Sequence, residues 1–406
     1  MTALINENKK LNVNILNKPY TFIDLFAGAG GFAEGFYQEG YKALSHIEFD
    51  KYACETLKER MKFYNYPSKE IDKIKSTDIT DKNIIDIIED GVSGNSVDVI
   101  IGGPPCQSFS SQGKARDPNG MKCDPRNYLY ESYIKILNHF KPKFFAFENV
   151  SGILSTKING KPIIDTIFKD MKENYNILED KDSLLLNAVN FGVPQERKRV
   201  IIIGVRKDLD IDVKSIYGDL AEISKSEEIV TVQDAIGDLP KLYPGGGKDI
   251  AIHKPKKISN YLAKIRRKDI DTIHHHVARN HNELDKKRYR LMSMNKWSLG
   301  ELYEKEPSLA HPKKRLFSNS YVVQHFDCPS KTIIAHLYKD GNQFIHPDPE
   351  QERTLTPREA ARLQSFPDDF IFPCSKTQQY KQIGNAVPPL LAKHIASVLK
   401  KYLEQI

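Results

Sequence analysis

The residues with the plainest chemical potential lie in Gly102-Gly103-Pro104-Pro105-Cys106-Gln107-Ser108-Phe109-Ser110-Ser111. Two glycines and two prolines end the preceding apolar run and fix a rigid turn. A thiol carried on such backbone suits a nucleophile, and the polar stretch that follows, to about Asn127, reads as a loop able to close over it. A free thiol titrates near 8.5, so this role needs surroundings that favour the thiolate. Two more candidates stand downstream. Glu148 ends another apolar run in Glu148-Asn149-Val150, and Arg197 and Arg199 sit two apart in Gln195-Glu196-Arg197-Lys198-Arg199. A carboxyl there could act as a general acid, and arginines at strand spacing share a face. Each has a plainer account when taken singly. Cys106 could be a small apolar cap, Glu148 a helix cap, and the arginines solvated charge.

The elements that must hold these groups alternate between strand and helix. Thr21-Phe22-Ile23-Asp24-Leu25-Phe26 reads as a strand, Ala27-Gly28-Ala29-Gly30-Gly31 as a tight turn, and the next residues to about Gln38 as a helix. Ala43 to Glu48 forms a second strand ending in an acid about twenty residues past the glycine turn, a spacing at which a carboxylate can reach ribose hydroxyls. That pattern alone also fits NAD. Asp78 follows Lys75-Ser76-Thr77, Val97 to Ile101 is the buried strand before Cys106, and a helix runs from about Tyr128 to His139. Strands Pro142–Phe147 and Val200–Ile203 complete a doubly wound, mostly parallel sheet with Cys106 and Glu148 at its carboxyl ends. Near Lys207 the periodicity breaks. A helix opened by Thr356-Pro357 and a last amphipathic helix, Pro388 to Glu404, close the chain, and the last is expected to pack on the first domain. The expected division is a catalytic domain over 1–206, a smaller domain over 207–372 and a returning segment over 373–406.

Composition narrows the partners. The chain has 406 residues and a net charge of +7, with 40% hydrophobic content. No apolar run approaches membrane-spanning length and no signal-peptide pattern opens it. The five cysteines, Cys54, Cys106, Cys123, Cys328 and Cys374, are scattered and without CxxC spacing, so disulfides and zinc are not expected and a reducing cytoplasm is. Between Ala251 and Ser320 there are 17 Lys/Arg against 7 Asp/Glu. One basic region on a near-neutral body suits nucleic acid. Lys254 to Arg267, with Lys286, Lys287 and Arg288, is expected to contact phosphates. His274, His275 and His276 lack an obvious set of co-ligands, and no metal is expected.

Taken in order, the glycine turn with Glu48, the Pro-Pro-Cys106 turn, Glu148-Asn149-Val150, Gln195-x-Arg197-x-Arg199, the segment Arg353 to Gln364, and Gln382-Ile383-Gly384-Asn385-Ala386-Val387-Pro388-Pro389 strongly resemble the DNA (cytosine-5)-methyltransferase family of bacterial restriction-modification type. The resemblance spans Thr21 to Ala396. It implies a class I S-adenosylmethionine-dependent fold with an inserted target-recognition region at about 230–350, whose loops between about Val230 and Asp348 read base edges. Cys106 would add to carbon 6 of a flipped-out cytosine, so that carbon 5 becomes nucleophilic enough to take a methyl group. Glu148 would relieve charge at ring nitrogen 3, and Arg197 and Arg199 would complete the catalytic set. Phe26, Gly28, Gly30, Glu48, Asp78, Pro104, Leu129 and Asn385 would bind S-adenosylmethionine, leaving S-adenosylhomocysteine as product. The implied partners are double-stranded DNA and a cognate restriction endonuclease. The implied state is a cytoplasmic, nucleoid-associated monomer.

Two alternatives stand beside this reading. One branch of the family acts on transfer RNA, with proline after the Cys-Gln pair and a shorter recognition region; here Ser108 holds that place and roughly 150 residues separate Arg199 from Arg353. A DNA-binding regulator without catalysis is the other, although every catalytic position is filled.

Overall fold

The computed structural model describes residues 18–105, 128–158, 160–255, 257–311 and 320–406. Its main sheet is built from β1 (Thr21–Leu25), β2 (Lys42–Ile47), β3 (Val99–Gly102), β4 (Phe144–Val150), β7 (Tyr175–Ile177), β8 (Leu185–Asn187) and β9 (Lys198–Arg206), while β5 (Lys157–Ile158) and β6 (Lys161–Pro162) form a small hairpin outside it. The order across the sheet is β2-β1-β3-β4-β9-β7, with β8 also on β9. The first four strands pair in parallel, and β4, β7 and β8 each pair antiparallel to β9. Six strands therefore run one way and β9 alone runs against them, which makes the sheet mixed but mostly parallel.

Sequence explains the layering. Phe22, Ile23, Leu25, Val99, Ile100, Ile101 and Phe144 to Phe147 are all fully buried. Continuous apolar runs of this kind belong to strands covered on both faces. The order 2-1-3-4 also reverses direction between β1 and β3, and at such a point the connections leave to opposite faces and open a crevice at the carboxyl ends of the strands. The turns after β1 and β3 are the glycine turn and the Pro-Pro turn. Topology alone brings them together.

Helix α1 (Gly31–Gln38) follows the glycine turn, and α2 (Lys51–Phe63) starts after Asp50, whose side chain caps the amides of Tyr52 and Ala53. The helix after the loop is α3 (Leu129–Phe140). The expected element before Asp78 is reduced to a single bridge between Glu48 and Ser76. Helix α4 (Val213–Ser226) lies on β9, where the Tyr217 hydroxyl donates to Ile201 O and accepts from Ile203 N, both at 2.9 Å. Packing on the sheet therefore continues beyond Lys207. A second ribbon pairs β10 (Gly247–Ile252) with β11 (Thr272–Val277), and a separate apolar cluster gathers Tyr289 and Met292 of α5 (Glu283–Asn295) with Leu299, Leu302, Tyr321 and Ile345.

Helix α6 (Pro357–Leu363) opens with a capping box between Thr356 and Glu359 and has proline in its first turn. Then come α7 (Lys376–Asn385) and α8 (Pro389–Leu403). Helix α8 returns to the first helix. A Cβ at Gly35 of α1 would run into the Lys393 amide nitrogen, so glycine is what lets the two backbones approach. The Tyr41 hydroxyl donates to Ala396 O of the same helix at 3.0 Å.

Candidate active site

One wall of the crevice is built on β1 and β2. After Leu25 the chain turns through Phe26 at φ 57°, Gly28 at 55° and Gly30 at 85°. Left-handed backbone at Phe26 is strained for a residue with a bulky side chain, and such strain concentrates at binding sites. The turn is fixed from β2: the Ala27 amide donates to Ile47 O at 3.0 Å, and the Gly28 amide donates to Glu48 Oε2 at 2.7 Å. Glu48 Oε1 accepts from the Asp50 amide at 2.7 Å. Burial raises the Glu48 carboxyl above its usual range, and the two amides pull partly against it. Above Gly28 there is open space, with nothing within 4 Å of where a Cβ would stand.

Beside this acid, Phe49 exposes 70% of its surface. Phe49 was not among the residues expected here. Asp78 is exposed and tied to Thr80, while the Thr77 amide donates to Glu48 O at 2.8 Å and keeps this segment against β2.

The other wall is built on β3, β4 and β9. Glu148 and Arg199 form an ion pair, Oε1 to Nε at 2.9 Å, with both side chains largely but not fully covered. Burial pushes the Arg199 guanidinium below its ordinary range, and Glu148 opposes that shift. The second carboxylate oxygen faces the turn after β3: a Cβ at Gly103 would lie 2.6 Å from Glu148 Oε2. Any other residue there would displace the acid. Asn149 completes the clamp, donating from Nδ2 to Pro104 O at 3.2 Å and accepting from the Val150 amide at 2.9 Å. The strand end bearing Glu148 is thus held to the Pro-Pro turn through Asn149. Cys106 itself lies outside the described residues, as do Ser108, Cys123 and the loop that follows.

Arg197 immediately precedes β9, and its carbonyl accepts from the Ala188 amide at 2.9 Å. Arg197 turns inward, fully buried, and donates to the carbonyls of Ile333, Gly384 and Ala386. Its hydrogen-bond partners are backbone carbonyls, while Glu148 pairs with Arg199. Pro104 is buried, Leu129 is half-buried at the start of α3, and Asn385 is exposed at the end of α7.

The basic segment is partly paired within the fold. Arg288 is buried, paired with Asp285 at 2.8 Å and bonded to Leu309 O. Arg266 is paired with Asp368, and Lys254, Lys264, Arg267 and Lys286 each hold a nearby carboxylate. Arg266 and Arg288 are committed to buried pairs, whereas Lys254, Lys264 and Arg267 stay exposed despite their carboxylates. Two of the three histidines are bonded within the fold: His275 bonds Asp249 and the Phe372 amide, and His276 bonds Thr356 and Pro240 O. No cluster fit to hold a metal occurs among the described residues, and none of their helices is long and apolar enough to cross a membrane.

An acid beside open glycine backbone, facing an acid–arginine pair across a parallel sheet's switch point, suits group transfer onto a planar base. The sequence signature of the C-5 cytosine-specific DNA methylases matches residues 20–401. The chain belongs to that family. The enzyme is 33% identical to the type II methyltransferase M.Bpa9945I of Bacillus paralicheniformis, over 93% of this chain and 98% of that one. It is 34% identical to M.DdeI of Desulfomicrobium norvegicum, over 95% and 89% of the two chains. Among solved structures, a DNA modification methyltransferase encoded within an E. coli prophage aligns with a TM-score of 0.70 at 26% identity, covering 95% of this chain and 99% of that one. The enzyme methylates DNA at cytosine carbon 5.

Proposed function

We propose that the enzyme takes its methyl group from S-adenosylmethionine and delivers it to a cytosine flipped out of double-stranded DNA, with Cys106 as the covalent nucleophile. The observation that carries this reading is the convergence of Glu48 with Gly28 and of Glu148 with Arg199 on strand ends flanking one switch point. The first wall fits the cofactor. Glu48 offers a carboxylate to ribose hydroxyls, Phe49 an exposed ring for the adenine face, Asp78 an acceptor for its amino group, and the Phe26–Gly30 turn open space at the backbone. Pro104, Leu129 and Asn385 would close the pocket. When bound, the cofactor supplies an electrophilic methyl group on a sulfonium.

The second wall fits the base. Carbon 5 of cytosine is buried in the stack and weakly nucleophilic, so the base must leave the helix, at a cost of about a few kcal/mol. Addition of the Cys106 thiolate to carbon 6 places negative charge on the ring, which Glu148 relieves at nitrogen 3 by a proton or strong hydrogen bond. Arg199, fixed by Glu148, is placed to bind the exocyclic oxygen. Loss of the carbon 5 proton after transfer then releases the thiol. Arg197 would support the site through the backbone carbonyls it binds. We further propose that the cluster around α5, within 230–350, belongs to the target-recognition part of a smaller domain. The names of the relatives support a type II restriction-modification role, in which methylation protects host DNA from a cognate endonuclease.

The deciding experiment is bisulfite sequencing of DNA from a host without cytosine methylation, before and after expression. Methylated cytosine within one short sequence is the expected result. Its absence, from folded protein that binds S-adenosylhomocysteine, would overturn the proposal.

A further inference from the structure

Gln195, Arg197 and Gln364 form a buried cluster that methyl transfer leaves unused. No carboxylate stands within ion-pair distance of Arg197 among the described residues. Its Nη1 donates to Ile333 O at 2.7 Å and its Nη2 to Gly384 O at 3.2 Å and Ala386 O at 2.9 Å, while Nε makes no hydrogen bond. Burying a cation without an anion is costly, so the site must offer something in return. What it offers is the carboxyl end of α7, where unpaired carbonyls and the helix dipole both favour positive charge.

One of these carbonyls, Ala386 O, is held a second time. Gln364 Nε2 donates to Ile383 O at 3.1 Å and to Ala386 O at 2.7 Å. Gln195 bonds Gln364 and Leu363 O and accepts from the Ile333 amide at 2.8 Å. Four segments distant in sequence therefore meet at one point. The two carbonyls that Arg197 Nη2 holds flank Asn385, which is exposed at the end of α7. Two residues along the chain in the other direction, Arg199 reaches Glu148.

We propose that Arg197 is a positioning residue that ties the turn bearing Asn385 to the strand bearing Arg199, so that occupation of the cofactor pocket and of the base pocket reinforce each other. This rests on the assignment of Asn385 to the cofactor and Arg199 to the base. An apolar side chain would fill the same volume, but it would strip the Ile333 and Gly384 carbonyls of this donor, leave Ala386 O to Gln364 alone, and loosen the turn. Lysine keeps the charge and can reach fewer of them.

The test uses the full chain with Arg197→Lys, Arg197→Met and, as a second route to the same turn, Gln364→Met. Affinity for S-adenosylhomocysteine is measured by calorimetry, alone and with saturating duplex carrying the methylated sequence, beside thermal melting and single-turnover rates. In the wild type the duplex should tighten the nucleoside by about fivefold or more. In Arg197→Lys the affinity should fall by about tenfold, the scale of one charge-assisted hydrogen bond, and the ratio with and without duplex should move toward one. Arg197→Met should be worse than lysine, and Gln364→Met milder with the same sign. A melting temperature that falls while affinity and ratio stay at wild-type values would overturn the proposal, as would a wild-type ratio of one. Wild-type protein that fails to bind the nucleoside at all would instead remove the cofactor assignment on which the proposal rests.

Discussion

Two regions of this enzyme are rich in charge and use it in opposite ways. At the switch point, Glu48 and Glu148 each stand at a strand end, partly open to the crevice, with few fixed partners. Around α6, Arg353, Arg358 and Arg362 are fully enclosed and saturated. Arg353 grips Glu359 with two bonds of 2.7 Å, and Arg362 spans Asp238 and Asp368. Charge left open at the end of a rigid sheet is available for chemistry. Charge closed in pairs fixes one packing arrangement and is available for nothing else.

Substitutions should separate the two kinds of charge, and the largest effect belongs to the open region. Cys106→Ser keeps size and polarity, but a hydroxyl is far less acidic than a thiol and cannot add to carbon 6 at a useful rate. Methyl transfer should vanish while affinity for S-adenosylhomocysteine stays near wild type. With 5-fluorocytosine in the target, the wild type should form a denaturation-resistant complex and the variant none. An adduct carried by Cys123 instead would break the assignment of the site. Glu148→Gln comes next. It keeps the shape beside Gly103 but removes the acid, and single-turnover rates should fall by about 100- to 10,000-fold with the fold intact. A rate within threefold of wild type would place proton donation elsewhere.

Arg362→Met probes the closed region. Removing one partner of a buried pair strands the other, at a cost of about 3–5 kcal/mol, so a large fall in melting temperature is expected. Surviving folded enzyme should keep nearly wild-type turnover. The same pair sets a pH limit. Burial alone would raise Asp368, but Arg362, Arg358 and Arg266 outweigh it and hold the carboxyl at about 2. A carboxylate depressed in the folded state stabilises it above its unfolded value of about 3.9 and loses that contribution as pH falls through the folded one. Acid unfolding of the wild type should therefore steepen between those limits, and Asp368→Asn should flatten it.

How much is legible in the sequence differs between the regions for the same reason. The strands β1, β3 and β4 are legible because unbroken apolar runs leave little choice, and their ends carry Glu48, Glu148 and the Pro-Pro turn within a few residues. The buried setting of Arg197 is not legible from its own stretch of chain. The acceptors of Arg197 lie on three residues, Ile333, Gly384 and Ala386, that no local pattern connects to it. Asp238 is likewise far in sequence from Arg362. A charge count along the chain cannot tell a solvated lysine from an arginine paired across the fold. Phe49 does leave a signal: an aromatic residue directly after a strand-ending acid has no core to enter.

The smallest effect expected is on affinity, and it tests what remains of the basic segment after its internal pairs are set aside. Lys257, Lys268 and Lys287 are exposed and make no ion pair among the described residues. Arg266 and Arg288, grouped with them by position in the chain, are bound to Asp368 and Asp285. If the open lysines meet phosphate, replacing all three with glutamine should weaken binding to every duplex alike. The plot of log affinity against log salt should flatten by about 0.9 for each phosphate no longer neutralised. Arg288→Gln should lower stability and leave that slope unchanged, because its charge never released a counterion from DNA. A slope indifferent to the three lysines would mean that this face looks to solvent, and that the duplex is held from the strand-end side alone.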